Sequence, residues 1–138
     1  MDALPDWEDG TVAILSTIGD EPHAIPVSTA VRAGPRRVLL ALSLRRRSLE
    51  LLRARERVAL TILTGGDVAV TAHCRATVLQ EPMVVSDRVA AIALDVLSIQ
   101  DHGQPRFVID AGVSWRWVDD DAQRTDAAIR AALRQLAH

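Results

Sequence analysis

The sequence contains no lysine, and this absence excludes every reaction that needs an amine side chain. All 16 basic residues are arginines, so the protein cannot form a lysine Schiff base or use a lysine nucleophile. Aromatic residues are also scarce, at 3% of the chain. A core must therefore be built from the aliphatic residues that make up most of the 49% hydrophobic fraction.

Cysteine and long apolar runs are equally limited. Cys74 is the single cysteine, so no disulfide can form within the chain, and a reducing cytoplasm is the expected compartment. No apolar run approaches the roughly 20 residues of a membrane-spanning helix, and the first residues lack the pattern of a secretion signal. Because the 138 residues contain no low-complexity linker, we expect one domain over residues 1–138.

The arginines are concentrated in one part of the chain. Residues 32–57 contain nine arginines and only two acids, so this segment carries +7 in a chain whose net charge is −2. Its densest part, Arg45-Arg46-Arg47-Ser48, begins a helix-like run, where positive charge opposes the helix dipole. This placement indicates a bound anion such as a phosphate, held by free N–H groups and guanidinium groups. A solvated charged turn is the alternative.

Most of the chain shows the alternating apolar pattern and the turn signals of short strands. The predicted strands are residues 11–18, 23–32, 37–43, 57–64, 68–79, 88–100 and 105–118. Residues 88–100 are ambiguous, because their alanines also allow a helix, and the strand is favoured. Pro26 indicates an edge or a bulge in the second strand, and Gly65-Gly66-Asp67 is a hairpin turn.

Two segments have helical patterns. Residues 44–55 predict an internal helix, with Ser43 as its N-cap and Leu44, Leu51, Leu52 and Arg55 near one stripe. Residues 122–138 predict a terminal amphipathic helix that follows three acids. The fold class is therefore mainly β, a six- to seven-stranded antiparallel barrel with one internal and one C-terminal helix.

Three stretches of the sequence carry a resemblance to a known family. In chain order they read LSTIGDEPHAIPVS, RRVLLALSLRRRSLELLRARERVALTIL and GDVAVTAHCRATV. Over about residues 7–118 this order resembles the pyridoxamine 5′-phosphate oxidase-like, flavin-binding split β-barrel family.

The resemblance implies a homodimer with FMN, or a related deazaflavin coenzyme, in a groove between the subunits. It assigns the flavin ring to the second strand, the ribityl chain to the end of the third strand, and the phosphate to the basic turn. The residues are, in that order, Pro26, Val27 and Ser28; Leu42 and Ser43; and Arg46, Arg47 and Ser48. The third assignment coincides with the anion site that the helix dipole indicates independently.

The resemblance further implies hydride transfer between the cofactor and a small planar substrate. Oxidation of pyridoxamine phosphate itself is not expected, because Ile25, Ala30 and Ala69 stand where the vitamin B6 oxidases have polar residues. A flavin carries its own redox chemistry, so no catalytic side chain is required and none is assigned. The choice between FMN and the deazaflavin stays open.

A few other residues have chemistry of interest. His23 lies beside the predicted ring-binding strand, where it could contact substrate or hydrogen-bond a turn carbonyl. His73 and Cys74 are neighbours on a strand and point to opposite faces, so no metal site is predicted. Trp115 and Trp117 share one face of the last predicted strand, where they would anchor the terminal helix or border the partner's cofactor.

Two other classes of function remain open. The basic segment could contact nucleic-acid phosphates, but it contains no aromatic residue that could stack on a base. A barrel that binds haem or another ligand without turnover is also possible, because fold does not fix function. The remaining histidines, His102 and His138, are expected to be solvated.

Overall fold

The computed structural model describes residues 1–137, and within them the chain forms seven strands and two helices. The strands are β1 (Ala13–Ile18), β2 (Pro22–Val27), β3 (Val31–Arg32), β4 (Arg37–Ser43), β5 (Arg57–Thr64), β6 (Val68–Gln80) and β7 (Val89–Asp101). The helices are α1 (Arg47–Ala54) and α2 (Asp120–Leu136). The predicted mainly β class, with one internal and one C-terminal helix, is confirmed.

The strands form one antiparallel sheet that curls into a half-barrel. Its order is β2-β1-β5-β6-β7-β4-β3, so β2 and β3 are the two edges, although only residues 28–30 separate them in sequence. A flat sheet of this size would hold its edges about 29 Å apart at about 4.8 Å per strand. The four Cα steps from Val27 to Val31 span about 15 Å at full extension, so the sheet has to curl until its edges meet.

The inner face of the curled sheet encloses the main core. Leu15 of β1 and Leu60 and Ile62 of β5 are fully buried there, because alternate residues of these strands point inward. Helix α1 adds Leu49 and Leu52 to the same core and packs against β1, β2, β4 and β6. The internal helix therefore plugs the barrel and ties the strands around it together.

Strand β4 is buried on both faces. Leu42 points into the barrel, whereas Leu39 and Ala41 belong to a second core that Ile129 and Leu133 of α2 complete. A strand that is covered on both sides has no solvent-facing positions, which explains why the apolar run RVLLALS does not alternate.

The prediction of one continuous strand over residues 23–32 is wrong. The segment divides into β2 at one edge of the sheet and β3 at the other, because the chain crosses between the edges at residues 28–30. The placement of Pro26 on an edge strand is confirmed. An edge position suits proline, which has no N–H to donate to a neighbouring strand.

The strand predicted over residues 105–118 is also absent from the described part of the chain. The chain leaves the sheet after β7, and the main chain of Ile109 is instead bonded to Asp67 in the β5–β6 turn. The segment lies beside the β5–β6 turn, and β5 and β6 each already have two neighbouring strands. The alternating pattern of this segment therefore has no free strand beside it to pair with.

Helix α1 begins at Arg47, three residues later than predicted, and Ser43 is not its N-cap. The Ser43 hydroxyl accepts a hydrogen bond from the Arg45 N–H at 3.3 Å, within the turn that precedes the helix. Arg46 occupies the N-cap position and makes no side-chain capping bond. A serine that bonds its own turn stabilises the turn in place of the helix.

The predicted apolar stripe of α1 is wrong in part. Leu52 is buried as expected, but Ser48 and Leu49 complete the buried face, whereas Leu51 is half-buried and Arg55 is exposed. No helix within residues 1–137 combines the length and apolar character needed to cross a membrane.

Candidate functional site

Two of the three predicted cofactor segments meet where the sheet edges come together. The Thr29 hydroxyl donates to the Ala41 carbonyl at 3.1 Å and accepts from the Ala41 N–H at 3.0 Å. This contact continues the register of the Val31–Leu39 pair. We call it the seam contact, and it places Ser28 at the end of β4.

The residues predicted to contact the flavin ring and the ribityl chain differ in whether their side chains are exposed. Pro26 is exposed on the outer face of β2, and Ser28 and Ser43 are half-buried. Val27 and Leu42 are buried in the barrel core. The last two therefore offer a ligand only their main-chain groups, whereas the others also present side chains.

The basic turn at the start of α1 is not neutralised. Arg45, Arg46 and Arg47 are exposed, and within residues 1–137 their side chains form neither an ion pair nor a hydrogen bond. By contrast, three other arginines of residues 32–57 pair with acids in the structure. The turn keeps its full positive charge beside the positive end of the helix dipole.

Ser48 lies at the second position of α1, among these arginines. It is fully buried, and its hydroxyl has no hydrogen-bond partner within residues 1–137. A buried hydroxyl without a partner is costly, by about 1–3 kcal/mol. An unpartnered hydroxyl, free helix N–H groups and unpaired guanidinium groups together make a donor set that suits a phosphate.

Within residues 1–137, the histidines and the cysteine form no cluster that could hold a metal ion. His73 is exposed and Cys74 is buried, which confirms that they point to opposite faces. His23 is half-buried in β2. No cluster of three or more potential metal ligands occurs within residues 1–137.

The expectation that His102 is solvated is wrong, and His138 lies outside the described residues. His102 is half-buried, and its Nε2 is 2.8 Å from the Thr71 hydroxyl, which is 2.9 Å from the Thr61 hydroxyl. This hydrogen-bonded chain crosses β5 and β6 on the outer face of the sheet. The sequence contained no signal for it, because the three residues are far apart along the chain.

A patch on the outer face of β2, β1, β5 and β6 carries no arginine and no carboxylate, and the paired Arg57 and Arg75 lie at its end. We call it the outer sheet face, and its residues are Ala24, Pro26, Ile14, Ser16, Ile18, Ala59, Thr61, Leu63, Thr71 and His73. Ile14, Ile18 and Leu63 are 39%, 45% and 50% exposed. A neutral surface across four strands is unusual in a chain in which 25% of the residues are charged.

A cleft of about 1250 Å³ lies away from the predicted cofactor residues. Its walls are the N-terminal segment (residues 6–11), the β5–β6 turn (residues 64–66), residues 110–117 and helix α2. All three tryptophans of the chain line it, so we call it the tryptophan cleft. Sequence reasoning placed Trp115 and Trp117 on one face but did not find the cleft, because its walls come from four separate segments.

Ion pairs hold the wall that α2 forms. Asp126 pairs with Arg130 along the helix, and Arg134 donates two hydrogen bonds to Asp9 of the N-terminal segment. The bond from Arg134 lowers the pKa of Asp9 below its usual range and raises that of Arg134. Asp9 therefore stays ionised and keeps the N-terminal segment attached to α2.

A second, smaller cavity of about 370 Å³ lies between the β1–β2 turn and the first residues of β5. Its charged lining residues are Asp20, Glu21 and Arg57, and His73, two hydroxyl side chains and several apolar side chains complete the wall. Neither cavity includes a predicted cofactor residue.

A half-barrel whose edges meet at a seam, with a helix inside its curl, defines the split β-barrel class of folds. Solved structures with this fold include a Lactobacillus delbrueckii protein named provisionally as a pyridoxamine 5′-phosphate oxidase, at 14% identity and TM-score 0.59, covering 72% of this chain and 95% of that one. An NADH:FAD oxidoreductase from Streptomyces globisporus matches at 13% identity and TM-score 0.55, covering 78% and 86%.

The flavin reductase component of a bacterial two-component tryptophan halogenase is similar at 12% identity and TM-score 0.55, covering 69% of this chain and 81% of that one. No family model and no curated protein matches the sequence. At such low identities the similarity shows the fold alone. Several of these neighbours are named as flavin reductases or, provisionally, as pyridoxamine 5′-phosphate oxidases.

Proposed function

We propose that this protein binds a flavin-type cofactor, FMN or a deazaflavin, and transfers hydride between it and a small planar substrate. The observation that carries the proposal is the un-neutralised turn Arg45-Arg46-Arg47 beside the buried, unpartnered Ser48 hydroxyl. These cofactors carry an anionic phosphate, and the fold is one on which flavin reductases are built.

The residues present fit such a phosphate. Arg46 and Arg47 would supply charge-assisted hydrogen bonds, Ser48 would donate its hydroxyl, and the first turn of α1 would donate free N–H groups. Binding an anion here would also relieve the repulsion between three neighbouring positive charges and the helix dipole.

The rest of the cofactor would lie along the seam. Pro26 offers its exposed ring as an apolar surface, while Ser28 and Ser43 offer hydroxyl groups. Val27 and Leu42 would contribute main-chain groups only, because their side chains fill the core. When bound, the cofactor supplies the hydride chemistry itself, and the chain's residues bind and orient it.

The test is titration of the purified protein with FMN and with the deazaflavin, followed by absorbance. We expect submicromolar binding of one of them, and a double variant Arg46→Ala/Arg47→Ala should weaken it at least about 100-fold, since each contact contributes about 1.5–3 kcal/mol. The matched control is Arg57→Ala/Arg106→Ala, which removes two exposed arginines elsewhere. Binding of neither compound would refute the proposal, and equal affinity in both double variants would refute the phosphate site.

We also propose that the protein is a homodimer joined through the outer sheet face. Symmetric dimers bring the same surface of two subunits together, and a face without charge can meet its own copy without repulsion. Pro26 lies on this face, so a second copy would cover the open side of the cofactor site.

Sedimentation analysis of the full chain tests the dimer. We expect a dimer for the natural protein and a monomer for Leu63→Asp, which puts a charge on the neutral face. Val84→Asp is the control, because Val84 is also apolar and is 92% exposed in a loop outside this face. A monomeric natural protein, or a Leu63→Asp variant that stays dimeric, would exclude this interface.

A further inference from the structure

The tryptophan cleft concentrates most of the aromatic surface of the protein. Trp7, Trp115 and Trp117 all line it, and the chain has only one other aromatic residue, Phe107. A chain this poor in aromatics would be expected to bury them in its core. Trp115 and Trp117 instead remain 38% exposed, on the cleft wall.

The indole rings are held in fixed positions. Trp7 donates its ring N–H to the Ala30 carbonyl at 2.9 Å, and Trp115 donates to the Gly10 carbonyl at 2.8 Å. The rings of Trp115 and Trp117 meet edge to face, with centroids 5.1 Å apart and planes at 86°. Two perpendicular rings make a rigid corner, whose electron-rich ring faces attract positive charge.

The charges of the cleft point to the same kind of ligand. Five acids and three arginines line it, which gives a net charge of −2. Arg130 and Arg134 are paired with Asp126 and Asp9, whereas Arg116 makes no salt bridge within residues 1–137. The unpaired acids of the cleft outnumber this one unpaired arginine, so the cleft favours a positively charged ligand over a phosphate or a carboxylate.

Two carboxylates remain to balance a ligand's charge. Glu8 and Asp110 line the cleft and make no salt bridge within residues 1–137. They lie on the N-terminal segment and on residues 110–117, and the second of these segments also carries Trp115 and Trp117.

We propose that the tryptophan cleft binds an organic cation, an ammonium group with an apolar body, seated against the Trp115–Trp117 corner with Glu8 and Asp110 balancing its charge. A volume of about 1250 Å³ admits such a molecule with its hydration water. The proposal does not depend on the cofactor.

The cleft is also separate from the proposed phosphate site. None of the residues of the proposed phosphate site, Arg46, Arg47 and Ser48, lines the cleft. If the protein does not bind the cofactor, the proposal for the tryptophan cleft is therefore unaffected. If the cleft does not bind an organic cation, the proposal for the cofactor is likewise unaffected.

Intrinsic fluorescence gives a selective readout of the cleft. The chain has no tyrosine, and all three tryptophans line this one site. The probes are choline, its neutral isostere 3,3-dimethylbutan-1-ol, and inorganic phosphate, with calorimetry as a second readout. We expect saturable binding of choline, binding of the isostere at least about fivefold weaker because it lacks the charge, and no competition by phosphate.

Variants locate the binding. Trp117→Leu keeps an apolar side chain but removes the ring face, and Asp110→Asn removes a charge; each should weaken choline binding by about fivefold or more. Asp20→Asn is the matched control, because Asp20 is exposed in the β1–β2 turn outside the cleft. The proposal is overturned if choline gives no saturable signal by either method, if the isostere binds as well as choline, or if Asp20→Asn weakens binding as much as Asp110→Asn.

Discussion

Cys74 shows how burial changes the chemistry of a single residue. Its side chain is fully buried in the barrel core, and burial, assisted by the Asp95 carboxylate, raises the pKa of the thiol from 9.0 to about 12. The thiolate is the reactive form. Cys74 is therefore an unreactive core residue at neutral pH.

The raised pKa of Cys74 makes stability depend on alkaline pH. Above about pH 9 the unfolded chain releases the thiol proton while the folded chain keeps it, so the free energy of unfolding should fall as the pH rises toward about 12. We expect a loss of roughly 1–2 kcal/mol by about pH 10.5. Urea denaturation at about pH 8 and about pH 10.5 measures it.

Because the chain has no lysine and no tyrosine, this measurement reports on the Cys74 thiol without interference from the titration of other side chains. No other side chain of the protein has an ordinary pKa between about 9 and 12. The Cys74→Ala variant should be less stable because it leaves a small cavity, but its stability should not change over this pH interval. A natural protein whose stability is equally constant would show that the thiol pKa is not raised.

Replacement of Ser48 by alanine is expected to raise the stability of the protein and to weaken its binding of the cofactor. Its buried hydroxyl lacks a partner, so Ser48→Ala should raise the free energy of unfolding of the cofactor-free protein by about 1 kcal/mol. The same change should weaken FMN binding, if the hydroxyl contacts the phosphate. Thermal unfolding and FMN titration measure the two effects.

Ser98→Ala serves as the control for Ser48→Ala, because Ser98 is exposed on β7. It should change neither quantity. A loss of stability in Ser48→Ala would mean that the hydroxyl has a partner in solution.

The two helices differ in how they begin. The Asp119 carboxylate at the N-cap of α2 accepts a hydrogen bond from the Ala122 N–H at 2.7 Å, and two more acids occupy the first turn. Helix α1 has Arg46 at its N-cap and no capping bond. The start of α2 is therefore stabilised from within, whereas the start of α1 is left to interact with something outside the chain.

Removal of the α2 cap should have a measurable cost. Asp119→Ala should lower the free energy of unfolding by about 1 kcal/mol, because it removes the partner of the Ala122 N–H. Asp120→Ala is the control, since it removes a first-turn acid that does not cap the helix, and about half that loss or less is expected. Equal losses in urea denaturation would indicate that only charge matters at this helix end.

Helix α2 packs on the sheet, whereas residues 105–118 do not join it, because the two segments need different kinds of surface. Ile129 and Leu133 give α2 an apolar face over β4. Residues 105–118 also have an alternating apolar pattern, but β5 and β6, beside which they lie, each already have two neighbouring strands. An amphipathic helix needs only an apolar surface to pack on, whereas a strand needs a free sheet edge.

For the whole molecule, the seam contact joins the two ends of the sheet. The Thr29 hydroxyl hydrogen-bonds both the N–H and the C=O of Ala41. Thr29 lies just before the short strand β3, so this contact continues the β3–β4 pairing past the end of β3. Because the chain crosses at this point, the seam contact sets the distance between the Pro26–Ser28 and Leu42–Ser43 segments. Closure of the barrel and the geometry of the candidate site are therefore linked.

Loss of the seam contact should destabilise the protein and loosen the site. Thr29→Val keeps the side-chain shape but leaves two Ala41 backbone groups without their partner, which should lower the free energy of unfolding by about 1–3 kcal/mol. Amide hydrogen exchange at Ala41 should become faster. Thr77→Val, at an exposed position of β6, should change neither quantity, and unaltered exchange in Thr29→Val would show that Thr29 does not close the barrel.

Local signals in the sequence determined most of the elements of this fold. The predicted strand over residues 57–64 coincides with β5, and Gly65-Gly66-Asp67 forms the predicted turn, with positive φ at Gly66 and Asp67. The acidic start of α2 and the burial of Cys74 also follow from the sequence. Each depends on the preferences of a few neighbouring residues, and these preferences are present in the chain before it folds.

Only the tertiary structure decided where the sheet has edges and which segments share a surface. The break between β2 and β3, the lack of a strand partner for residues 105–118 and the convergence of three tryptophans on one cleft all depend on contacts between distant segments. The lack of a hydrogen-bond partner for the Ser48 hydroxyl within residues 1–137 also depends on how distant segments pack. These groups come together only when the sheet curls. The curl forms only after both edge strands have paired, so no short stretch of the sequence carries a signal for it.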